Sequence, residues 1–595
     1  MGMTDAPAST PAADSPRLAS VRLDENDAPW PLRPWIMAAI GALAGLLFHM
    51  LVDRQYVAEP APLLDALAAF IAVSTVVFLL GVEIRRWHWA LGFALLWGAV
   101  MGLISGYSAG YNLNGSPIEW PFWSGILAVL VATPLFQTRR DVAPDWRFWK
   151  LWQMPYERLH SHAWTDAVIG AAGLVFVGIT FLLVVLIGQM FKLIGIDLIE
   201  RLLNGEWFGW MLAGAAFGGA VGLLRERDKL VATLQRLVMI VLGVLAPVLA
   251  AALALFLLSL LGTGLTPLWE SGFSTAALMM AAAAFAVLLA NAVIGNGRDD
   301  RSANRFLQIA AAVLVAAVLP LAVIAFYSMH LRVIQYGWTP ERIWGVIAAI
   351  IALAYGAAGL WSVAKGRRDF DDLLRPLQQK LAIGLMLLAL FLALPLMDFG
   401  AISTRDQLAR LKTGTTKAEK FDWAALAFDF GPAGRRALAD LAKSPDKARA
   451  DLAKWALAAQ NRWDLNVPGE AVDAADVTYG AKPIRDKVRV LPAGQLLPPE
   501  AYAALDTRGQ CKTAPCAAYV LGSDRIVVAG RGNNVVLFAR DAKTGEWAED
   551  YEGFRGGAIA EGLTIDELEK AVIEVRPVQR RQLFVNGKPL GEDFE

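Results

Sequence analysis

Long runs of apolar residues recur along the first two thirds of the chain. Backbone N–H and C=O groups find no water inside a bilayer, so a segment that crosses it forms a helix of about 20 mostly apolar residues. The runs that satisfy this condition are residues 35–52, 63–82, 87–107, 118–136, 164–190, 207–224, 237–261, 273–295, 306–327, 343–364 and 381–399. The pattern therefore predicts an all-α membrane bundle of about eleven transmembrane helices over residues 35–399.

The pattern of apolar and polar positions changes on either side of this bundle. Residues 1–34 are rich in Ala, Pro, Ser and Asp and have no apolar periodicity, which predicts a disordered cytoplasmic tail. Residues 400–477 are predicted to form a mainly helical connector. Over residues 478–595, short β-rich runs separated by turn residues predict a small soluble α+β domain. These runs are Val488–Leu491, Ala517–Leu521, Arg525–Ala529, Asn534–Arg540 and Gln582–Val585.

The composition agrees with a membrane protein and argues against a nucleic-acid partner. Hydrophobic residues make up 56% of the chain and charged residues only 18%, which is far from the usual soluble composition. The formal net charge is zero, so the chain has no overall basic field that would attract a phosphate backbone. We expect the lipid bilayer as a partner and no nucleic acid.

Lysine and arginine alternate between the loops in a way that indicates orientation. These residues accumulate in short loops on the cytoplasmic side of a membrane. With the N-terminus inside, the inner segments carry 22 of them and the outer loops carry five. A missed or invented span would scramble this alternation. The count predicts a multi-pass membrane protein with a cytoplasmic N-terminus and an extracytoplasmic C-terminal domain.

The chain has only two cysteines, Cys511 and Cys516, and both lie in the predicted extracytoplasmic domain. That compartment is oxidising and permits disulfides. Free thiols and a redox-active pair are the alternatives to a structural bridge, which we favour. The domain contains no histidine and no third cysteine that would complete a metal site. We therefore identify no metal-ligating and no cofactor-binding residues.

No Asp, Glu, Lys or Arg lies near the centre of a predicted span, where such charges commonly mark ion pathways and proton relays. The central polar residues are Asn291, Gln308 and Tyr355. They would either line a path through the bundle or form hydrogen bonds between helices, and the second role is the commoner one. Small residues at intervals of four favour close helix packing. They are Gly102, Gly106 and Gly110, and Gly214, Gly218 and Gly222.

Four segments of the chain resemble those of the bacterial domain of unknown function (DUF4153) family of polytopic membrane proteins. They are Tyr156–Trp164, Lys192–Asp197, Arg332–Arg342 and Ile402–Gln407. The resemblance covers most of residues 60–465 and implies a polytopic protein of the bacterial envelope. Together with the predicted spans, it implies the bacterial cytoplasmic (inner) membrane as the location, with a periplasmic C-terminal domain. It implies no established activity, and it brings no catalytic residues that could be assigned to positions of this chain.

Tyr336 and Arg342 lie on the predicted outer side, immediately before the tenth span. One interpretation is a capped helix entry, with Thr339 as N-cap, Pro340 at the first helical position and Glu341 in the first turn. The other makes Tyr336 and Arg342 part of an outward-facing site for an anion or a carboxylate, which a guanidinium can bind through two hydrogen bonds. We favour the capped entry.

The sequence contains no catalytic motif that identifies an enzyme. The histidine-free C-terminal domain cannot supply a Ser-His or Cys-His pair of its own, and it has no phosphate-binding loop. Three functional hypotheses remain. The favoured one is an envelope sensor, assembly or binding protein whose exported domain contacts an envelope protein partner. The others are a transporter or channel for a neutral or lipidic substrate and a membrane-embedded transferase acting on a lipid-linked substrate.

Overall fold

The computed structural model divides the chain into two compact units, which are described separately. Unit 1 comprises Met1–Ala409 and Asp429–Pro432, and unit 2 comprises Arg410–Phe428 and Ala433–Glu595. Most of the predicted N-terminal tail lies outside the described residues. The structure describes residues 30–55, 61–109, 116–142, 154–270, 274–459, 462, 465, 483–492, 494–507, 511, 516–529, 535–541, 545–550, 581–585 and 588–594.

Unit 1 is built from α-helices. They are α1 (Arg33–Gln55), α2 (Pro62–Gly81), α3 (Trp87–Ala109), α4 (Ser116–Val142), α5 (Tyr156–Leu193), α6 (Leu198–Leu203), α7 (Glu206–Arg225), α8 (Asp228–Thr263), α9 (Thr266–Glu270), α10 (Thr275–Ile294), α11 (Arg305–Tyr336), α12 (Pro340–Gly366), α13 (Phe370–Ala393) and α14 (Phe399–Thr413). Ten segments of the described chain are long and apolar enough to cross a membrane. The last of them, Pro340–Ala393, contains both α12 and α13, which a 3-10 turn at Arg367–Asp369 separates.

Each apolar run in the sequence therefore lies on a long helix of its own. The predicted fold class, a helical membrane bundle followed by a small α+β domain, is confirmed. The eleventh run was placed at residues 381–399, whereas α13 spans Phe370–Ala393. It ends early because Pro395 favours an extended backbone at Leu394, where ψ is 150°.

Helices α1 and α7 touch backbone to backbone. A Cβ added to Gly41 would overlap the carbonyl oxygen of Gly214, and one added to Gly214 would overlap the carbonyl oxygen of Gly41. The same relation holds between Gly218 and the carbonyl oxygen of Met37. Only glycine leaves room for this approach, so the small-residue spacing in α7 serves helix packing.

The apolar core of unit 1 consists of several clusters. One joins α8, α10 and α11 and includes the fully buried Ala286 and Leu314. Another joins α2, α3, α4 and α13 and includes Met101 and Ala128. Because side chains from distant segments interlock in each cluster, the helices of unit 1 pack as one bundle.

Unit 2 is a mixed α and β structure. Its α-helices are α15 (Gly431–Leu441), α16 (Lys447–Ala458), α17 (Ile484–Lys487) and α18 (Pro499–Thr507). Its strands are β1 (Val488–Leu491), β2 (Cys516–Val520), β3 (Arg525–Ala529), β4 (Val535–Arg540), β5 (Trp547–Glu549), β6 (Arg581–Val585) and β7 (Lys588–Phe594). Strands β1 to β5 form one sheet in chain order, in which β1 and β2 are parallel and the other neighbours antiparallel. Strands β6 and β7 form a separate antiparallel pair.

A disulfide joins Cys511 and Cys516 in unit 2, and their Cα atoms are 5.5 Å apart. Cys516 is the first residue of β2, which pairs with both β1 and β3. Both cysteines are fully buried in the apolar core of the sheet, beside Val528 and Phe538. The bridge therefore attaches the segment before β2 to the interior of the domain.

Candidate functional site at the basic end of the bundle

Most of the buried charged and polar side chains of unit 1 lie at one end of the bundle. This is the end at which α1, α3, α5, α8, α11 and α13 begin and α2, α4, α7, α10 and α12 end, and we call it the basic end. Buried charges are rare in proteins unless they are paired, so such a concentration requires an explanation. The side chains are Arg33, Glu83, Gln137, Arg139, Arg140, His160, His162, Asp371, Arg375, Gln378 and Gln379.

Side chains from three other helices cap the C-terminus of α2. The last carbonyl groups of a helix have no partner within it, and they attract cationic donors. Here the donors are Gln137 and Arg225 to the carbonyl oxygen of Leu80, Arg140 to that of Gly81 and Arg33 to that of Val82. The capping ties α1, α4 and α7 to the end of α2.

A buried ion cluster lies directly beside these caps. Glu83 pairs with Arg140, and the two side chains are only 3% and 2% exposed. Glu83 also pairs with Arg86 at 2.8 Å, and Asp141 Oδ1 accepts from Arg140 Nε at 3.2 Å. Burial raises the pKa of the Glu83 carboxyl above its ordinary value, and the positive charges of Arg140 and Arg86 oppose that shift. Removing Glu83 or Arg140 would leave the buried charge of the other only partly compensated.

Helix α5 joins this cluster through two side chains. His162 Nε2 lies 2.9 Å from Asp141 Oδ2, and Asp166 Oδ1 accepts from Gln137 Nε2 at 3.1 Å. A histidine and carboxylate pair also occurs in hydrolases, where it activates a nucleophile. No described hydroxyl or thiol is hydrogen-bonded to His162. Among the described residues there is also no group of three or more His, Cys, Asp or Glu side chains that could hold a metal ion.

A second buried cluster connects α10, α11 and α13. Asp371 is fully buried and accepts from Arg301 Nη1 at 2.8 Å and from Arg375 Nη2 at 2.6 Å. Arg375 Nη2 also caps α10 by donating to the carbonyl oxygen of Ile294 at 2.8 Å. Gln308 Oε1 accepts from Arg301 Nη2 at 2.9 Å. Gln308, which the sequence suggested as an intramembrane polar residue, therefore lies in the first turn of α11 within this cluster.

Three side chains at intervals of four along α5 form a polar and aromatic cluster. Tyr156 Oη lies 2.9 Å from Gln378 Oε1 on α13 and donates to it. Trp164 Nε1 donates to His160 Nε2 at 3.2 Å. The Nε2 atom of a neutral His160 ring is therefore the acceptor, and its proton is on Nδ1. That Nδ1 atom is buried and has no hydrogen-bond partner among the described residues.

The structure does not place Asn291 and Tyr355 together with Gln308 on one path. Tyr355 lies halfway along α12. Asn291 lies in the last turn of α10, and its Oδ1 atom is buried without a partner among the described residues. The three residues belong to three different helices, and no described contact joins Asn291 to either of the others.

Tyr336 and Arg342 lie at the opposite end, where α11 ends and α12 begins. The Arg342 guanidinium carbon is 5.5 Å from the centre of the Tyr336 ring. Arg342 Nη1 donates to the carbonyl oxygens of Tyr336 and Gly337 at 3.2 and 2.8 Å, and Gln407 Nε2 donates to the carbonyl oxygen of Tyr336 at 2.9 Å. Thr339 Oγ1 accepts from the backbone N–H of Arg342. These contacts favour the capped helix entry over an anion site.

The comparisons with known proteins agree with the sequence motifs. The family model described as domain of unknown function (DUF4153) matches residues 36–441, which is more than half of the chain. The matched range includes all four segments on which the resemblance rests, and the family prediction is confirmed. Comparison with the curated proteins and with the solved structures gives no match. The chain therefore belongs to the domain of unknown function (DUF4153) family of proteins.

Proposed function

We propose that this integral membrane protein holds its C-terminal domain on the extracytoplasmic face of a bacterial cytoplasmic membrane. There the domain binds an envelope protein partner, and the chain acts as a sensor or an assembly factor. The observation that carries the proposal is the distribution of Lys and Arg along the sequence, with 22 in the predicted inner segments and five in the predicted outer loops. An odd number of spans then exports the C-terminus.

The contacts at the basic end support a membrane bundle that stays in one arrangement and serves as an anchor for the C-terminal domain. Arginine side chains attach the end of α2 to α1, α4 and α7, and Arg375 attaches the end of α10 to α13. Many transporters instead form a substrate site from helices that are broken near the bilayer centre. Helices α8 and α11 continue through Pro247 and Pro320 without a break. Both observations favour the anchor over the transporter.

The chemistry of unit 2 supports binding more than catalysis. The domain has no histidine, and its two cysteines are buried in a structural position. A buried disulfide has little access to a substrate, and an oxidising compartment favours its formation. A transferase would need acidic or nucleophilic groups around a substrate, and no described cluster of unit 2 offers them.

The redox state of Cys511 and Cys516 in cells tests the compartment of the domain. Cells that produce the full chain are lysed in denaturant that contains a maleimide reagent, with or without prior reduction. We expect no labelling of the wild-type chain before reduction and labelling of two thiols afterwards. The variants Cys511→Ser and Cys516→Ser are the controls, because each leaves one thiol that reacts without reduction. Labelling of two wild-type thiols without reduction would contradict an oxidising location.

A further inference from the structure

Two buried oxygen atoms at the basic end have no hydrogen-bond donor in the described part of the chain. They are Gln137 Oε1 on α4 and Asp166 Oδ2 on α5. Their side chains nevertheless touch, because Gln137 Nε2 lies 3.1 Å from Asp166 Oδ1. Buried polar atoms nearly always have a partner, so two neighbouring side chains that each lack a donor require an explanation.

Two acceptors fix the orientation of the Gln137 amide. Its Nε2 atom donates to Asp166 Oδ1 and to the carbonyl oxygen of Leu80, both at 3.1 Å. An amide nitrogen carries two hydrogens, so both of them are used. Turning the amide over would place Oε1 against these two acceptors and lose both hydrogen bonds. The atom of Gln137 that lacks a partner is therefore its oxygen, which can only accept.

The charged and titratable groups around Asp166 are engaged with other partners. Arg225 of α7, His162 of α5 and Arg140 of α4 act electrostatically on its carboxyl group. Their own partners are the carbonyl oxygen of Leu80 for Arg225, Asp141 for His162, and Glu83, Asp141 and the carbonyl oxygen of Gly81 for Arg140. Among the described residues, no cation lies within ion-pair distance of Asp166, and its one hydrogen-bond donor is Gln137.

A proton on Asp166 Oδ2 supplies the donor that Gln137 Oε1 lacks. An ionised carboxylate only accepts hydrogen bonds, whereas a protonated carboxyl donates from one oxygen and accepts at the other. The amide of Gln137 presents the complementary arrangement, with its donor at Nε2 and its acceptor at Oε1. Two hydrogen bonds then join the side chains in a ring, and both oxygen atoms gain a partner. Burial of the uncharged carboxyl also costs less than burial of a carboxylate without a cation.

We propose that Asp166 and Gln137 form a proton-binding site, in which Asp166 Oδ2 holds the proton and donates a hydrogen bond to Gln137 Oε1. Binding takes one proton from water at the basic end and forms the O–H bond of Asp166, with no transfer of electrons. The protonated site joins α4 to α5, and the same amide caps α2 at Leu80. Loss of the proton sets a negative charge against the amide oxygen, so the packing of these three helices depends on pH. The site is independent of the proposed anchoring function.

Infrared spectroscopy of the full chain tests whether Asp166 holds a proton. The protein is labelled with 13C in the side-chain carboxyl carbon of aspartate and is purified in a detergent without carbonyl groups. Spectra are recorded at about pH 5.5, where an ordinary aspartate, with a pKa of about 3.9, is ionised. We expect the C=O band of a protonated carboxyl, which shifts with the 13C label and is absent from Asp166→Asn. Raising the pH should convert this band into those of a carboxylate.

The variant Gln137→Met gives an assignment that does not depend on Asp166→Asn. It replaces the amide with an apolar side chain of similar length and leaves Asp166 in place. The C=O group of Asp166 then no longer accepts from Gln137 Nε2, so we expect its band to move to higher frequency and to keep its sensitivity to the 13C label. An unchanged band would place the proton on another aspartate.

The pH dependence of stability tests the consequence for helix packing. The native chain holds a proton that the unfolded chain releases above about pH 4, so stability is lost as the pH rises until the native site also releases it. Over that range we expect the unfolding constant of the wild type to rise relative to that of Asp166→Asn by up to about tenfold per pH unit. Asp166→Asn has no proton to lose, and its side-chain N–H donates to Gln137 Oε1. The control Asp369→Asn, at a side chain that is 65% exposed, should keep the wild-type pH dependence.

Two results would overturn the proposal. The first is the absence at about pH 5.5 of a carbonyl band that depends on both the 13C label and Asp166. Asp166 would then be ionised, and a buried water molecule that donates to both oxygen atoms would explain the pair instead. The second is an equal pH dependence of stability in the wild type and in Asp166→Asn, which would assign that dependence to other groups of the cluster, such as Glu83 and His162.

Discussion

Replacing Arg140 with alanine is expected to destabilise the membrane bundle by about 3–5 kcal/mol, the usual cost of breaking a buried ion pair. The substitution leaves Glu83 buried without its closest partner and Asp141 with fewer donors. It also removes the donor to the carbonyl oxygen of Gly81 at the end of α2. The free energy of unfolding is measured by denaturant titration of the detergent-solubilised protein, followed by far-UV circular dichroism.

A matched control is Arg298→Ala, which removes an arginine from an exposed pair. The side chain of Arg298 is 73% exposed, so water screens its pair with Asp372 and we expect only a small loss of stability. The double variant with Glu83→Gln and Arg140→Met should recover part of the loss, since it leaves less charge unpaired. A loss for Arg140→Ala no larger than that for Arg298→Ala would contradict a structural role for the buried cluster.

Replacing Gly214 with valine is expected to separate α1 from α7 and to destabilise the protein by about 3 kcal/mol, the upper part of the range for overpacking. The added side chain would overlap the carbonyl oxygen of Gly41, which belongs to the backbone and cannot move without shifting α1. The effect is measured as a lower apparent melting temperature in detergent and a lower yield of folded protein.

Gly209→Val on the same helix is the control for this substitution. An added Cβ at Gly209 meets no atom within 4 Å, so both variants change helix propensity alike and only one creates a clash. We expect Gly209→Val to lower stability by less than about 1 kcal/mol. Equal losses for the two variants would mean that α1 and α7 do not touch along their glycines.

The spans could be predicted from the sequence because the bilayer imposes a simple requirement on each segment. A crossing helix must satisfy its own backbone and present apolar side chains to lipid, and each apolar run shows this locally. The ends were harder to place, because polar helical turns extend beyond the hydrocarbon core. Helix α5 begins at Tyr156, eight residues before the predicted span, and its first turns carry His160 and His162.

The buried clusters could not be predicted, because their members are far apart in the sequence. Glu83 and Arg140 are separated by 57 positions, and Arg33 and Glu226 by 193. Counting Lys and Arg in each loop used the arginines only as indicators of membrane orientation. In the structure, several of these arginines also cap helix ends. The sequence held one indication of the buried ion pairs: acidic residues such as Glu83 and Asp371 lie inside otherwise basic loop segments.

The helix entry at Thr339 was predictable for the opposite reason, because a cap is local. The threonine, the following proline and the backbone N–H of Arg342, which donates to the threonine hydroxyl, all lie within four positions. The sequence did not reveal that Arg342 and Gln407 both donate to the carbonyl oxygen of Tyr336. That contact joins two of the segments that carry the family resemblance, and it depends on the packing of α14.

Reporter fusions test most directly the claim that an odd number of spans exports the C-terminal domain. Alkaline phosphatase, which is active only outside the cytoplasm, is fused after residue 400 and, as a control, after residue 300 between α10 and α11. We predict high activity after residue 400 and none after residue 300, with a green fluorescent reporter giving the reverse pattern. Activity after residue 300 together with none after residue 400 would contradict the orientation.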